Sequence, residues 1–198
     1  MEGELSMTPV VRGRVDSINA IMFHFYAREF ASAGEGFQMI GDFSPVPYFL
    51  YCRSIELSLK AFLLAKGVPV TKFKGKGGIW HDLERALEEA ESQGLLDIAE
   101  IPGHYKEELK KANYYYEKKD GFEYFDSYEV FVRWDDLPSL KVLSEFALFL
   151  VAKVKKPCDE SMRILADKYG IHNKDRRNWR KRNHKESITA VSCRTLTV

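Results

Sequence analysis

Arg53-Ser-Ile-Glu-Leu-Ser-Leu-Lys-Ala-Phe-Leu-Leu-Ala-Lys66, stopped by Gly67, and then Trp80-His81-Asp82-Leu83 after a basic glycine loop, decide the fold. Leu50, Leu57, Ala61 and Leu64 mark one face of the first stretch, while Phe49, Ile55, Leu59 and Phe62 cover others. A helix that is apolar nearly all round buries most of its circumference, so this one is expected at the centre of a bundle. Arg53, Glu56 and Lys60 nevertheless sit in its middle, at steps of three and four that place them on one face. Charges buried there without partners would cost several kcal/mol. Two readings follow: an internal ion-pair network that orients helices, or a nucleotide-sized cleft lined by Arg53, Lys60 and His81.

Outward from this helix, Ser44-Pro45-Val46-Pro47 supplies a start that tolerates proline in the first turn, and Gly67 with Pro69 supplies the stop. A preceding helix is expected over Val11 to Ser32, with Val11, Val15, Ile18, Met22 and Phe25 as its buried stripe and Ala33-Gly34-Glu35-Gly36 as its end. A third helix follows Asp82, a residue suited to capping, with Leu83, Leu87 and Ala90 inward. Tyr105, Leu109, Ala112 and Tyr116 stripe a fourth segment. Asp136-Leu-Pro138 opens a last helix with Leu140, Leu143, Ala147, Leu150 and Val154 inward. Phe122 to Phe125 and Tyr128 to Val132 suit a short β excursion.

The chain of 198 residues, 45% hydrophobic and 30% charged, suits one ordinary domain with an extension. Its formal charge of +1 hides an asymmetry: residues 157–198 hold ten Lys/Arg against five Asp/Glu, leaving 20 against 24 in residues 1–156. Three segments follow from these patterns: an N-terminal segment 1–10, a helical bundle 11–156, and a basic extension 157–198 that starts at Pro157. Cys52, Cys158 and Cys193 are distant, odd in number and without zinc spacing, which points to a reducing compartment. The longest apolar run, within Phe146 to Ala152, is too short for a membrane span, and Met1-Glu-Gly-Glu lacks a signal-peptide pattern. A cytoplasmic location without membrane partners is the expectation.

The long helix with Arg53, Glu56, Lys60 and Ala61 ending at a glycine, then the loop and His81-Asp82-Leu83, resembles the HEPN superfamily (higher eukaryotes and prokaryotes nucleotide-binding) over roughly residues 10–155. The resemblance implies an all-α, up-and-down helical bundle of four to five helices, commonly a homodimer. It also implies a role beside a nucleotidyltransferase, an antitoxin or RNA, within a toxin-antitoxin or defence system. Catalytic HEPN proteins carry Arg, four to six residues, then His on the final bundle helix. Leu137 to Val154 has neither residue. A non-catalytic binding or accessory module for nucleotide, RNA or a partner protein is therefore the expected function.

Arg177 and His184 match the spacing elsewhere, in the basic tail, and define the alternative of a metal-independent endoribonuclease. A ribonuclease needs a proton acceptor and a cation against the developing charge. The same tail, with Arg176, Arg177, Arg180, Lys181, Arg182 and Lys185 around Trp179, also suits phosphate contact with stacking, or a solvated charged surface. A third reading is a structural interaction domain without a nucleic-acid role, in keeping with the acidic body.

The loop Lys72-Phe-Lys-Gly-Lys-Gly-Gly-Ile-Trp-His81 reads as a solvated connector or as an anion site, in which glycine amides and the next helix's positive end meet a phosphate beside Lys72, Lys74 and Lys76. His81 either fixes this loop to the bundle or touches a ligand. Aromatics are dense from Tyr114 to Trp134, which suits packing over the bundle or across a dimer, or base stacking. No Gly-x-Ser-x-Gly elbow, His-Glu-x-x-His, Walker loop, dinucleotide fingerprint or suitably placed carboxylate pair is present, so neither a metal nor another cofactor is implied.

Overall fold

The computed structural model describes residues 15–41, 43–74, 78–117, 122 and 136–168, with side chains from Ala20 onward. These residues form α1 (Val15–Glu35), α2 (Val46–Ala65), α3 (Leu83–Ser92), α4 (Gly103–Tyr116) and α5 (Leu140–Lys168), with short 3₁₀ turns at Val70–Phe73 and Leu95–Asp97. Among the described residues the chain is all-α. None of these helices is long and apolar enough to cross a membrane.

The central helix is α2. From Tyr51 to Leu64 every residue except Arg53 is buried. Pro45 and Pro47 sit at its first turn, where their missing N–H groups cost nothing. Gly67, at φ +88°, turns the chain away, and the Val68 amide donates back to the Leu63 carbonyl at 3.0 Å.

Helix α1 lies along α2 through its small residues. Ala20, Ala27 and Ala31 are buried, and the Ser54 hydroxyl donates to the Ala27 carbonyl at 2.8 Å. A Cβ on Gly34 would stand 2.6 Å from the ring of the buried Tyr51, so this position admits no side chain without displacing that ring. The expected stripe is overturned at Met22 and Phe25, which face outward at 39% and 43% exposed, beside Tyr26, while the side chains of Val11, Val15 and Ile18 lie outside the described residues. Alanine methyls bring the two backbones together, and large side chains would hold them apart.

The remaining stripes are inward as expected. Leu83, Leu87 and Ala90 of α3, Leu109 and Ala112 of α4, and Leu143, Ala147, Leu150 and Val154 of α5 join one core. Tyr105 of α4 stacks on Phe146 of α5 at 4.9 Å, and His24 of α1 contacts the Val151 carbonyl through Nε2 at 2.9 Å. Phe122 is buried between Tyr48 and Tyr115, with ring centroids at 5.5 and 5.4 Å. The remainder of the expected β excursion lies outside the described residues.

Pro157, where a break is expected, lies inside α5. The proline removes one backbone hydrogen bond, but Cys158 continues the buried face one turn beyond Val154, and Lys155 and Lys156 pair with Asp159 and Glu160 across that turn. The compact unit with the core ends at Met162, and residues 163–168 of the next unit are helical.

Gly34→Val is expected to lower stability by about 1–3 kcal/mol through overpacking against Tyr51. Gly36→Ala, whose Cβ would meet its nearest atom at an ordinary 3.5 Å, should change it by about 0.5 kcal/mol or less. Urea unfolding of both variants checks the contrast.

Candidate functional site

Helical spacing on α2 brings Arg53, Glu56 and Lys60 to one face, and Glu56 becomes the hub of a polar cluster. Its side chain is 1% exposed. Oε1 accepts from Lys60 Nζ at 2.5 Å, and Oε2 accepts from Arg53 Nη1 at 2.7 Å and from the Tyr116 hydroxyl of α4. His81 Nδ1 stands 3.4 Å from the same Oε2. Lys60 also donates to the Trp80 carbonyl, which ties the loop before α3 to the core helix.

Backbone pairing sets that loop. The Ile79 amide donates to the Lys72 carbonyl and the Trp80 amide to the Phe73 carbonyl, both at 3.2 Å, so the glycine segment is closed at its base. Buried Phe73 and Ile79 anchor the closure. Trp80 takes φ +42°, a left-handed conformation costly for a bulky residue, and the Lys60 contact with its carbonyl helps hold it. The turn carries His81 over Glu56, where Tyr116 meets the imidazole edge-on at 6.0 Å and 85°.

At its N-terminus α3 is sealed by side chains. Asp82 Oδ1 accepts from the Arg85 amide at 3.0 Å, as the capping expectation has it, and Asn113 Oδ1 accepts from the Leu83 amide at 2.7 Å. Asn113 Nδ2 closes the set on Asp82 at 3.2 Å. Two amides that an anion would use are thus committed. Lys72 is paired with Glu89 at 2.9 Å, and Lys74 is exposed.

Burial pushes the Glu56 carboxyl up, but the His81 hydrogen bond and the charges of Lys60 and Arg53 outweigh it and hold the pKa at about 2. Burial, then the Glu56 charge, drives the Tyr116 hydroxyl well above the ordinary tyrosine range, so it stays protonated and donates. Burial likewise raises both described thiols, Cys158 to about 12, which leaves them poor nucleophiles. Across the cluster, two permanent cations face one carboxylate. Arg53, at 30% exposure, carries that excess to the surface beside His81, which is 54% exposed.

Arg53, Glu56, Lys60 and His81 therefore come together. Lys76 and the tail candidates Arg176, Arg177, Trp179, Arg180, Lys181, Arg182 and His184 lie outside the described residues. Tyr116, Asn113 and the Trp80 carbonyl belong to the constellation without having been singled out in sequence for it. A hydroxyl at the end of the α4 stripe was the available signal for Tyr116. On the outer face of α4, Glu107, Lys110, Lys111, Tyr114, Tyr115 and Asp136 line a separate depression of about 420 Å³ that none of the cluster residues enters.

Comparison with known proteins finds no matching family model, no similar curated protein and no similar solved structure.

Because the folded pKa of Glu56 lies below the ordinary 4.5, its contribution to stability is complete above pH 4.5 and is lost as pH falls through about 2. Urea titrations between those limits should show a loss of order 3 kcal/mol from this group, absent in Glu56→Gln. An equally steep loss in that variant would contradict the assignment. Asn113→Ala, which leaves the buried Leu83 amide unpaired, should cost about 1–3 kcal/mol in the same assay.

Proposed function

We propose that the chain is a HEPN-like helical module that binds phosphate-bearing partners, nucleotide or RNA, at the surface where Arg53 and His81 emerge, and does not turn them over. The observation that carries this reading is the charge of the cluster: Lys60 is absorbed by Glu56 and the Trp80 carbonyl, and Arg53 reaches solvent with guanidinium donors beyond the one it gives Glu56. Guanidinium donors meet phosphate oxygens in a fixed fork, and preorganisation by a buried carboxylate lowers the entropy lost on binding.

The non-catalytic part of the reading draws on α5. This helix spans Leu140–Lys168 and contains a single Arg, Arg163, with no His, so the Arg and His pair of catalytic HEPN proteins has no counterpart on it. The basic tail supplies a second phosphate-contacting segment in the same reading, with Arg176, Arg177 and Arg180 to Arg182 around Trp179.

Fluorescence anisotropy with a labelled single-stranded RNA and with nucleotides tests this. Arg53→Ala should weaken binding by about tenfold, the loss of one charge-assisted contact. The logarithm of affinity should fall linearly with that of salt concentration, and the RNA should be recovered intact. Unchanged affinity in Arg53→Ala together with insensitivity to salt would overturn the reading, and RNA cleavage lost in Arg177→Ala with His184→Ala would establish the ribonuclease instead.

A further inference from the structure

Among the described histidines, only His81 combines an exposed ring with a buried carboxylate and a cation. His24 spends Nε2 on the Val151 carbonyl, and His104 lies against the Tyr105 ring at 4.4 Å. Both polar contacts of His81 are made at Nδ1, 3.4 Å from Glu56 Oε2 and 3.5 Å from Arg53 Nη1. With the ring proton on Nδ1, where it can be donated to Glu56, the lone pair falls on Nε2. The ring is 54% exposed, and Tyr116 packs edge-on against it.

From this arrangement we infer that His81 is a phosphoryl-acceptor residue, taking a phosphoryl group on Nε2 from a small phosphoramidate or acyl phosphate donor. In the step, the Nε2 lone pair forms a bond to phosphorus as the bond from phosphorus to the leaving nitrogen or oxygen breaks. The bonding electrons depart with ammonia or the carboxylate. No proton has to leave the ring, and the imidazolium that results keeps its Nδ1 proton directed at Glu56. Two features fit the step. The carboxylate offsets the positive charge the ring acquires, and the edge-on Tyr116 limits rotation of the ring.

The inference rests on the reading that Arg53 and His81 meet a phosphate, but its readout is covalent. Full-length protein is incubated with potassium phosphoramidate and followed by intact mass and ³¹P NMR, with peptide mapping at neutral pH. One phosphoryl group, stable in alkali and labile in acid, should accumulate at His81 about tenfold faster than at the exposed His104, which lacks the carboxylate partner. It should disappear in His81→Gln and persist in His104→Gln, with circular dichroism showing both variants folded. Equal labelling of His81 and His104, or undiminished labelling in His81→Gln, would overturn the acceptor role. Reversible binding of inorganic phosphate without any label at His81 would overturn the acceptor role and leave the binding reading standing. Absence of both would overturn both.

Discussion

One buried carboxylate governs how the pieces of this bundle meet. Glu56 lies in the middle of the most apolar helix of the chain, where an uncompensated charge would be prohibitive. Its compensation comes from Lys60 and Arg53 on its own helix, Tyr116 on α4 and His81 on the loop before α3. The helix positions, the loop conformation and the exposed chemistry are consequently coupled. Buried ion pairs of this kind seldom add net stability over well-packed hydrophobic residues, so the cluster is better understood as fixing geometry. It draws the Trp80 turn into a left-handed conformation and presents an arginine and a histidine together at the surface.

Around that hub the packing divides into two styles. Helix α1 meets α2 through alanines, Ser54 and a glycine that leaves room for Tyr51, a close backbone approach with little side-chain volume. Helices α3, α4 and α5 meet the core through Leu, Phe and Tyr side chains, with the Tyr105 and Phe146 rings stacked. The second style leaves room for side chains such as Tyr116 and Asn113 to reach between elements. The Glu56 and Asp82 clusters accordingly lie on the α3 and α4 side of α2.

What was legible in the sequence was local. Prolines at the start of α2, Gly67 at its end, the Asp82 cap and the stripes of α3, α4 and α5 each rest on neighbours within a turn or two, and all hold in the structure. The convergence of Arg53, Glu56 and Lys60 follows from helical spacing alone. The inward face of α1 was not legible, because a regular spacing of large apolar residues identifies a face without saying whether the neighbouring helix demands small residues instead. Met22 and Phe25 therefore lie outside, and Ala20, Ala27 and Ala31 within. The helix runs through Pro157 for the complementary reason: a buried Cys158 and flanking ion pairs carry it past the proline. Tyr116 and Asn113 act across 60 and 31 residues of chain, distances over which no spacing rule applies.

The central claim is that Glu56 stays ionised inside the bundle and organises its donors by charge. A carbon-13 NMR titration of the Glu56 side-chain carboxyl tests it most directly, since the resonance reports ionisation of that group alone. The account predicts a folded-state carboxyl that remains ionised far below pH 4.5 and titrates at about 2. A carboxyl that takes up its proton at or above pH 4.5 while the protein is still folded would contradict it.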